Sequence, residues 1–352
     1  NVQSNSRATQ RTQGADVRSG ISCTGSDREL ETATASPIDV SHQAVLILGE
    51  GAAELADLVE KTGDIQAPLT VCGDARQAVE LYADQPVLLG DPMSISQVLP
   101  DMPAVEWVQS TWAGITPLLR IERRDYLLTG IKDVFGSQMS EYVLGYMLAH
   151  ELRIVDRLSD QRSHLWQPKG SGTLQGRRLG IMGTGSIGTA IAGQAGRNGM
   201  VVTGLSRSGK SNSNFRNVYT TADMAEFLAA LDYLVSVLPD TAATDGLLNA
   251  NTLAMLPAHA CFINVGRANV VHHDALITAL CNHKLGGAVL DVFDEEPVPQ
   301  DSPLWDAPNL MMTPHIAAIS RPELIAPVFI ENYRRFVAGQ ALMNLISFEH
   351  GY

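Results

Sequence analysis

The sequence predicts an α/β protein made of two doubly wound parallel-sheet domains with a cleft between them. Short apolar runs occur in two series, and segments of helical or turn character separate one run from the next. Strands that alternate with helices form parallel sheets that are buried on both faces. A chain of 352 residues, 45% of them hydrophobic, can bury two cores, which exceeds what one ordinary domain contains.

Apolar runs of strand length define the predicted strands. The first series holds those at 44–48, 69–72, 87–89, 105–109 and 126–129. The second series holds those at 179–182, 201–205, 233–238, 261–265, 288–291 and 311–313. Six strands with helices between them are typical of a Rossmann dinucleotide fold, whereas the first series indicates a flavodoxin-like substrate domain.

The C-terminal segment is expected to complete the first domain. It contains a predicted helix that opens with Ser320 and Glu323 as a capping-box pair and carries apolar residues at helical spacing. Because the second sheet is already complete, this helix needs the first core to pack on. We therefore expect residues 44–149 and 318–352 to form the substrate domain and residues 150–317 to form the Rossmann domain.

Two segments are predicted to lie outside the packed cores. The polar segment 156–172 follows a helical pattern at 139–154 and is expected to be a linker. Residues 1–43 are rich in Ser, Thr, Gln and Arg and lack hydrophobic periodicity, which predicts a disordered N-terminal tail. Its acidic residues argue against an organellar transit peptide.

Charge and composition exclude several kinds of partner. The net charge of −13 leaves no basic footprint for nucleic acid or an anionic membrane. No apolar stretch approaches the roughly 20 residues that span a bilayer, which predicts a soluble, cytoplasmic protein. The cysteines lack metal-ligand spacing and are expected to be reduced core thiols, so no metal site is predicted: Cys23, Cys72, Cys261 and Cys281.

A glycine-rich loop follows the first strand of the second series. Gly183 permits a tight turn, Gly185 lets the backbone approach a pyrophosphate, and Gly188 lets the next helix pack closely on the strand. Ser186 and Ile187 begin that helix, whose N-terminus favours phosphate charge. Such a loop can also be a plain strand-to-helix turn, but here strand, loop and helix follow in the required order. The sequence therefore predicts a dinucleotide site.

The end of the next strand indicates which dinucleotide is bound. NAD-binding proteins place an acidic residue about 20 residues beyond the glycines, to accept the ribose hydroxyls. Here the strand ends in Ser206, Arg207 and Ser208, followed by Lys210. Hydroxyl groups and cations suit a 2′-phosphate, so NADPH is predicted, with NADH as a weaker cofactor. The alternative is a solvated basic turn.

Three consecutive strands of the second series each end in a side chain suited to hydride transfer. Arg267 follows one strand through Gly266, Glu296 lies beyond the next, and His315 ends the last. Reduction of a keto acid needs a cation for the substrate and an acid that protonates the developing alkoxide. Singly, each residue could be a surface or structural group. At neighbouring ends of parallel strands, the three indicate a catalytic site in which Glu296 stabilises protonated His315.

These motifs resemble those of the D-isomer-specific 2-hydroxyacid dehydrogenases over residues 44–336. The resemblance is carried by the glycine loop, Asn264-Val265-Gly266-Arg267, Asp291-Val292-Phe293 with Glu296-Pro297, and Thr313-Pro314-His315. Within that family, the segment from Phe135 to Tyr142 and the Ser-Arg-Ser turn resemble the glyoxylate/hydroxypyruvate reductase branch, whose members prefer NADPH. The implied activity is reduction of a small 2-keto acid to the D-2-hydroxy acid.

The resemblance also implies roles for individual residues. Arg267 would hold the substrate, His315 would be the acid/base and Glu296 its partner. Asp291 would contact the nicotinamide amide, and the Leu238-Pro239 turn would line the nicotinamide pocket. Backbone amides of the loop Trp112-Ala113-Gly114 would hold the substrate carboxylate, while the Trp112 side chain either narrows the pocket or packs between domains. Family members are usually dimers joined through the cofactor domains, so a homodimer is expected.

Proteins with other functions share these motifs or this fold. Formate and phosphite dehydrogenases share these motifs, although formate enzymes carry Gln where this chain has Glu296. Phosphite oxidation is compatible with the same three residues. A different class of protein, the dinucleotide-sensing transcriptional corepressors, resembles the family in fold and recruits partners without catalysis. Which keto acid is preferred does not follow from the motifs.

Overall fold

The computed structural model describes residues 43–349. Apart from Gln43, the predicted N-terminal tail lies outside these residues, as do Cys23 and the last three positions of the chain. Cys72 and Cys261 are buried free thiols, as predicted, whereas Cys281 is a free but exposed thiol, so the core placement expected for it is wrong. None of the helices in the described range is long and apolar enough to cross a membrane.

The first sheet has five parallel strands in the order β2-β1-β3-β4-β5. They are β1 Val45–Leu48, β2 Leu69–Cys72, β3 Val87–Gly90, β4 Trp107–Ser110 and β5 Leu127–Thr129. Every strand predicted in the first series is present, with only small differences at the ends. This order is the flavodoxin-like one, so the predicted topology class is confirmed.

The second sheet has seven parallel strands in the order β12-β11-β10-β9-β6-β7-β8. They are β6 Arg178–Met182, β7 Val201–Leu205, β8 Val218–Tyr219, β9 Tyr233–Ser236, β10 Cys261–Asn264, β11 Gly287–Leu290 and β12 Leu310–Met312. The six predicted strands are confirmed, and the short strand β8 was not predicted. The order in which strands are added to the sheet reverses between β6 and β9, and doubly wound sheets bind ligands at such a switch point.

Helices cover both faces of the two sheets. They are α1 Ala52–Thr62, α2 Ala75–Leu81, α3 Pro92–Val98, α4 Thr116–Leu119, α5 Gly136–Glu151, α6 Ile154–Arg162, α7 Ser186–Arg197, α8 Met224–Leu228, α9 Ala250–Leu253, α10 His273–Cys281 and α11 Pro322–Val337. Within β1, Val45 and Ile47 join one apolar cluster while Leu46 and Leu48 join the cluster on the opposite face. This two-sided burial explains why the strands are continuous apolar runs.

Helix α11 returns to the first sheet and packs against α1. Its buried residues include Phe329, which stacks on Trp107 of β4 with ring centroids 5.4 Å apart, and Tyr333. These contacts support a substrate domain that is discontinuous in sequence, although the exact boundaries stay a prediction. The predicted capping box is wrong, because α11 begins at Pro322 after Arg321 and has no side-chain cap. Proline has no N–H and a fixed φ, so it sets the helix start.

The region between the sheets differs from the predicted linker. Helix α5 buries Val143 and Met147 in the core of the second sheet and packs along α7. A left-handed Arg153, with φ of +54°, separates α5 from α6, which covers the start of the segment predicted as a linker and buries none of its residues. The apolar residues of α6, Ile154, Val155 and Leu158, are exposed, and from Asp156 onwards the segment is mostly polar, which is why it was predicted as a linker.

Candidate active site

The glycine loop joins β6 to α7 at the switch point of the second sheet. Gly183 has φ of +105°, and its N–H donates to the Leu205 carbonyl over 2.9 Å. A methyl group on Gly188 would overlap the carbonyl oxygen of Gly183, whereas the side-chain position of Gly185 faces open space. Helix α7 begins at Ser186, followed by Ile187. The loop is therefore tightly packed where Gly188 meets Gly183 and open to solvent at Gly185. This arrangement leaves room for a pyrophosphate at the helix N-terminus.

The Gly188→Ala variant should lose most of its affinity for the dinucleotide. The added methyl group can be accommodated only if the Gly183 carbonyl moves, and that movement should displace the loop backbone that a pyrophosphate is expected to contact. We expect the dissociation constant for NADPH, measured by fluorescence titration, to rise by about 10-fold or more, which corresponds to roughly 1.4 kcal/mol. Gly196→Ala, in the same helix and facing open space, is the matched control and should bind normally.

The predicted 2′-phosphate turn follows β7. The Ser206 hydroxyl accepts from the Gly209 amide over 3.2 Å, and the Ser208 hydroxyl accepts from the Lys210 amide over 3.3 Å. The side chains of Arg207 and Lys210 are exposed on this turn. No acidic residue occurs in the sequence from Gly183 to Thr220, so no carboxylate from this stretch can oppose a phosphate here.

His315 and Glu296 form a direct pair at the carboxyl edge of the second sheet. The Nδ1 atom of His315 lies 2.8 Å from Oε2 of Glu296. The other carboxylate oxygen of Glu296 accepts from the Phe293 amide over 2.9 Å. Since an ionised carboxylate can only accept, Nδ1 of His315 carries the hydrogen, and Nε2 is left for another partner. The sequence placed these two residues on neighbouring strand ends, and the structure brings them together.

Arg267 lies between the two sheets. Its Nη1 donates to the Gly266 carbonyl over 2.6 Å, and its Nη2 lies where a side chain at position 114 would be. Burial lowers the pKa of the Arg267 guanidinium from its usual value, while the charges of Asp240 and Glu296 oppose that shift. The guanidinium therefore contacts the predicted substrate loop of the first sheet and interacts electrostatically with the carboxylate that holds His315.

The substrate loop Trp112-Ala113-Gly114 is held by Ser110. The Ser110 hydroxyl accepts from the Trp112 amide over 3.1 Å and lies 3.0 Å from the Trp112 carbonyl, to which it donates. The Trp112 amide is thus already engaged, which leaves those of Ala113 and Gly114 for a ligand. The Trp112 side chain is 41% exposed, so it is not buried between the two sheets.

A buried polar network, centred on Gln109, lies next to this loop and was not predicted from the sequence. Gln109 accepts from the Thr129 hydroxyl over 2.8 Å and from the Asn332 amide over 3.1 Å, and it donates to the Gly130 carbonyl. Trp107 donates its indole N–H to Thr129 over 2.8 Å. The sequence does contain a signal for this network, namely polar residues within otherwise apolar strand and helix patterns. Buried polar groups of this kind normally have hydrogen-bond partners.

Asp291 and the Leu238-Pro239 turn also lie at the carboxyl edge of the second sheet. The buried Asp291 carboxylate accepts from Thr313 and from backbone amides that follow His315, so it is bonded to the turn that carries the imidazole. Gly266 packs on the backbone of Leu238, where any side chain would clash at 2.8 Å. The turn after β9 therefore lies directly beside the peptide that leads to Arg267.

Together, the fold and the site define a dinucleotide-dependent oxidoreductase built from two α/β units. The family model described as "D-isomer specific 2-hydroxyacid dehydrogenase, NAD binding domain" matches residues 144–317. The chain belongs to the D-isomer specific 2-hydroxyacid dehydrogenase family and is an NAD(P)-dependent 2-hydroxyacid dehydrogenase, as its motifs predicted.

Three individual proteins show the extent of this similarity in identity and coverage. The chain is 35% identical to glyoxylate/hydroxypyruvate reductase A of Klebsiella pneumoniae over 67% of its own length and 73% of that protein. The structure of a D-isomer specific 2-hydroxyacid dehydrogenase family protein from Aeromonas salmonicida has a TM-score of 0.84 and 39% identity, covering 88% of this chain and 100% of that one. An NADPH-dependent glyoxylate/hydroxypyruvate reductase from Sinorhizobium meliloti, in complex with NADP and sulfate, has a TM-score of 0.79 and 26% identity over the same shares.

Proposed function

We propose that this protein reduces a small 2-keto acid, of the size of glyoxylate or hydroxypyruvate, to the D-2-hydroxy acid with NADPH. The observation that carries the proposal is the His315–Glu296 pair at one rim of the second sheet, with Arg267 of the same rim placed against Gly114 of the first sheet. The names of the relatives from K. pneumoniae and S. meliloti support the same substrate class and cofactor.

The proposed mechanism assigns one task to each side chain. When bound, NADPH supplies the hydride that reduces the carbonyl carbon. Arg267 binds the substrate carboxylate and carbonyl oxygen, together with the amides of Ala113 and Gly114. His315 donates the proton on Nε2 to the carbonyl oxygen as negative charge develops there. Glu296 keeps the imidazole in orientation and stabilises its protonated form through Nδ1.

The cofactor is proposed to lie across the glycine loop, with the nicotinamide towards Leu238-Pro239 and Asp291. The shape of the loop fits this group, because Gly188 is packed on Gly183 while the space above Gly185 is open. Both oxygens of Asp291 already accept from the His315 turn, and Oδ2, which has a single donor, keeps capacity for an amide N–H.

The Arg207→Ala variant should separate the two cofactors. A charge-assisted hydrogen bond to phosphate is worth about 1.5–3 kcal/mol, so KM for NADPH should rise about 10- to 100-fold. KM for NADH should change little, because that cofactor has no 2′-phosphate. Arg197→Ala, which removes an arginine from the last turn of α7, is the control. An equal effect of Arg207→Ala on both cofactors would contradict the proposed phosphate site.

A substrate panel followed by NADPH absorbance tests the proposed reaction. Glyoxylate, hydroxypyruvate and phenylpyruvate should be compared under NADPH and NADH, beside phosphite with NADP. Turnover of the small keto acids supports the proposal. Turnover of phosphite alone would assign a different reaction to the same residues, and dinucleotide binding without any turnover would indicate a sensing scaffold. The homodimer and the cytoplasmic location expected from the sequence stay predictions.

A further inference from the structure

The turn that carries His315, residues 313–320, joins β12 to α11 and has an unusual backbone. His315 has φ of +56°, in the left-handed region. Residues other than glycine keep this conformation only where their surroundings hold it. The groups that hold the turn therefore also set the position of the imidazole relative to Glu296.

Asp291 holds the middle of the turn. Its carboxylate accepts from the Thr313 hydroxyl over 2.6 Å on one side of His315. On the other side it accepts from the amides of Ile316 over 2.8 Å and Ala317 over 2.9 Å. The carboxylate is 2% exposed, so these bonds are shielded from water.

Helix α5 extends this network through Tyr142. The Tyr142 hydroxyl lies 2.5 Å from Oγ1 of Thr313. The single hydroxyl hydrogen of Thr313 points to the Asp291 carboxylate, so Tyr142 must be the donor to Thr313. Burial raises the pKa of Tyr142 well above its usual value, which keeps that hydrogen in place. Donation thus runs in one direction, from Tyr142 through Thr313 to Asp291.

One helical turn earlier, α5 contacts the other end of the same segment. The Gln138 amide donates to the Ile319 carbonyl over 3.1 Å and accepts from the Ile319 N–H over 3.2 Å. A side-chain amide that pairs with both backbone groups of one residue fixes its distance and its orientation. Tyr142 and Gln138 are four residues apart, so they lie on one face of the helix.

We propose that Tyr142 and Gln138 are positioning residues that clamp the 313–320 turn from both ends and so place the His315 imidazole for proton transfer. The role in proton transfer rests on the proposed function, whereas the clamp itself does not. Helix α5 can act as a fixed support because Val143 and Met147 anchor it in the core of the second sheet, against the helix α7 that follows the glycine loop. The acid and the dinucleotide loop would therefore share one rigid element.

The test uses Tyr142→Phe and Gln138→Met, which delete the donors without removing the side-chain bulk. At saturating NADPH and keto acid, kcat should fall about 3- to 10-fold in each variant, the effect of losing one or two neutral hydrogen bonds. KM for NADPH should stay unchanged. Amide hydrogen exchange in peptides that cover residues 313–320 should become several-fold faster, with no change in peptides from the first sheet.

Tyr333→Phe and Gln66→Met are the matched controls. Tyr333 is a buried tyrosine of α11 that donates one hydrogen bond, to the Gln43 carbonyl, and Gln66 is a surface glutamine bonded to a backbone carbonyl. Both controls should leave kcat and exchange at 313–320 unchanged. Unchanged exchange in the two α5 variants would overturn the clamp, and faster exchange with an unaltered kcat would overturn its role in placing the imidazole. If the parent enzyme reduces no keto acid, the proposed function fails, and the exchange measurement still decides the clamp.

Discussion

Replacement of His315 by glutamine should reduce kcat for the keto acid by about 10²- to 10⁴-fold, the range attributed to a positioned general acid. Glutamine can still hydrogen-bond to Glu296 but cannot deliver a proton to the developing alkoxide. The affinity for NADPH should remain close to that of the parent, because His315 lies at the end of β12 and the glycine loop lies after β6. Single-turnover kinetics with a fluorescence titration of NADPH would measure both quantities.

The Glu296→Gln variant tests the other member of the His315–Glu296 pair. It keeps the side-chain shape beside the imidazole and its bond to the Phe293 amide, but it removes the negative charge 2.8 Å from Nδ1. We expect an intermediate loss of kcat, since protonated His315 would lose its stabilising neighbour. If His315→Gln keeps most of the parental kcat, His315 is not the acid, and the proposed mechanism is wrong.

The second large effect is expected at Arg267. Replacement by glutamine removes the charge and should lower kcat/KM for the keto acid by about 10²- to 10³-fold, as for the loss of a donor to a developing oxyanion. The guanidinium is held beside Gly114 and is partly buried, so water cannot substitute for it easily. Steady-state kinetics at saturating NADPH give the ratio directly.

Gly114→Ala tests the same contact from the other side of the cleft. A methyl group there would overlap Nη2 of Arg267, so the guanidinium must shift away from the substrate loop. KM for the keto acid should rise while NADPH affinity is kept, and Gly196→Ala again serves as the control. A Gly114→Ala enzyme with parental kinetics would show that the position of Arg267 against this loop is unimportant for the reaction.

The strands were predictable because a parallel strand that is buried on both faces has a continuous apolar sequence. Leu46 and Leu88, for example, are almost fully buried on one face of the first sheet, and Val45 and Val87 on the other. Strand β8 has only two residues, both half-buried, and therefore leaves no apolar run. Helix α6 was missed for a related reason, since it buries no residue and has no apolar face against the core.

The dinucleotide loop could be read from the amino-acid sequence because its constraints are local. Gly183 and Gly188 are five positions apart, and the close packing of one on the other follows from the strand-turn-helix geometry of that segment alone. The family motifs around Arg267, Glu296 and His315 are equally short. The amino-acid sequence by itself therefore predicts which side chains lie at the carboxyl edge of the second sheet.

Tertiary structure decided which groups touch. The bond between Tyr142 and Thr313 joins residues 171 positions apart, and that between Ser320 and Thr111 joins residues 209 positions apart. The contact between Arg267 and Gly114 likewise joins residues that are far apart in the sequence. Such contacts depend on how two sheets pack, to which every buried side chain contributes. No local pattern encodes that arrangement, because the hydrogen-bonding capacity of a hydroxyl or guanidinium does not specify its partner.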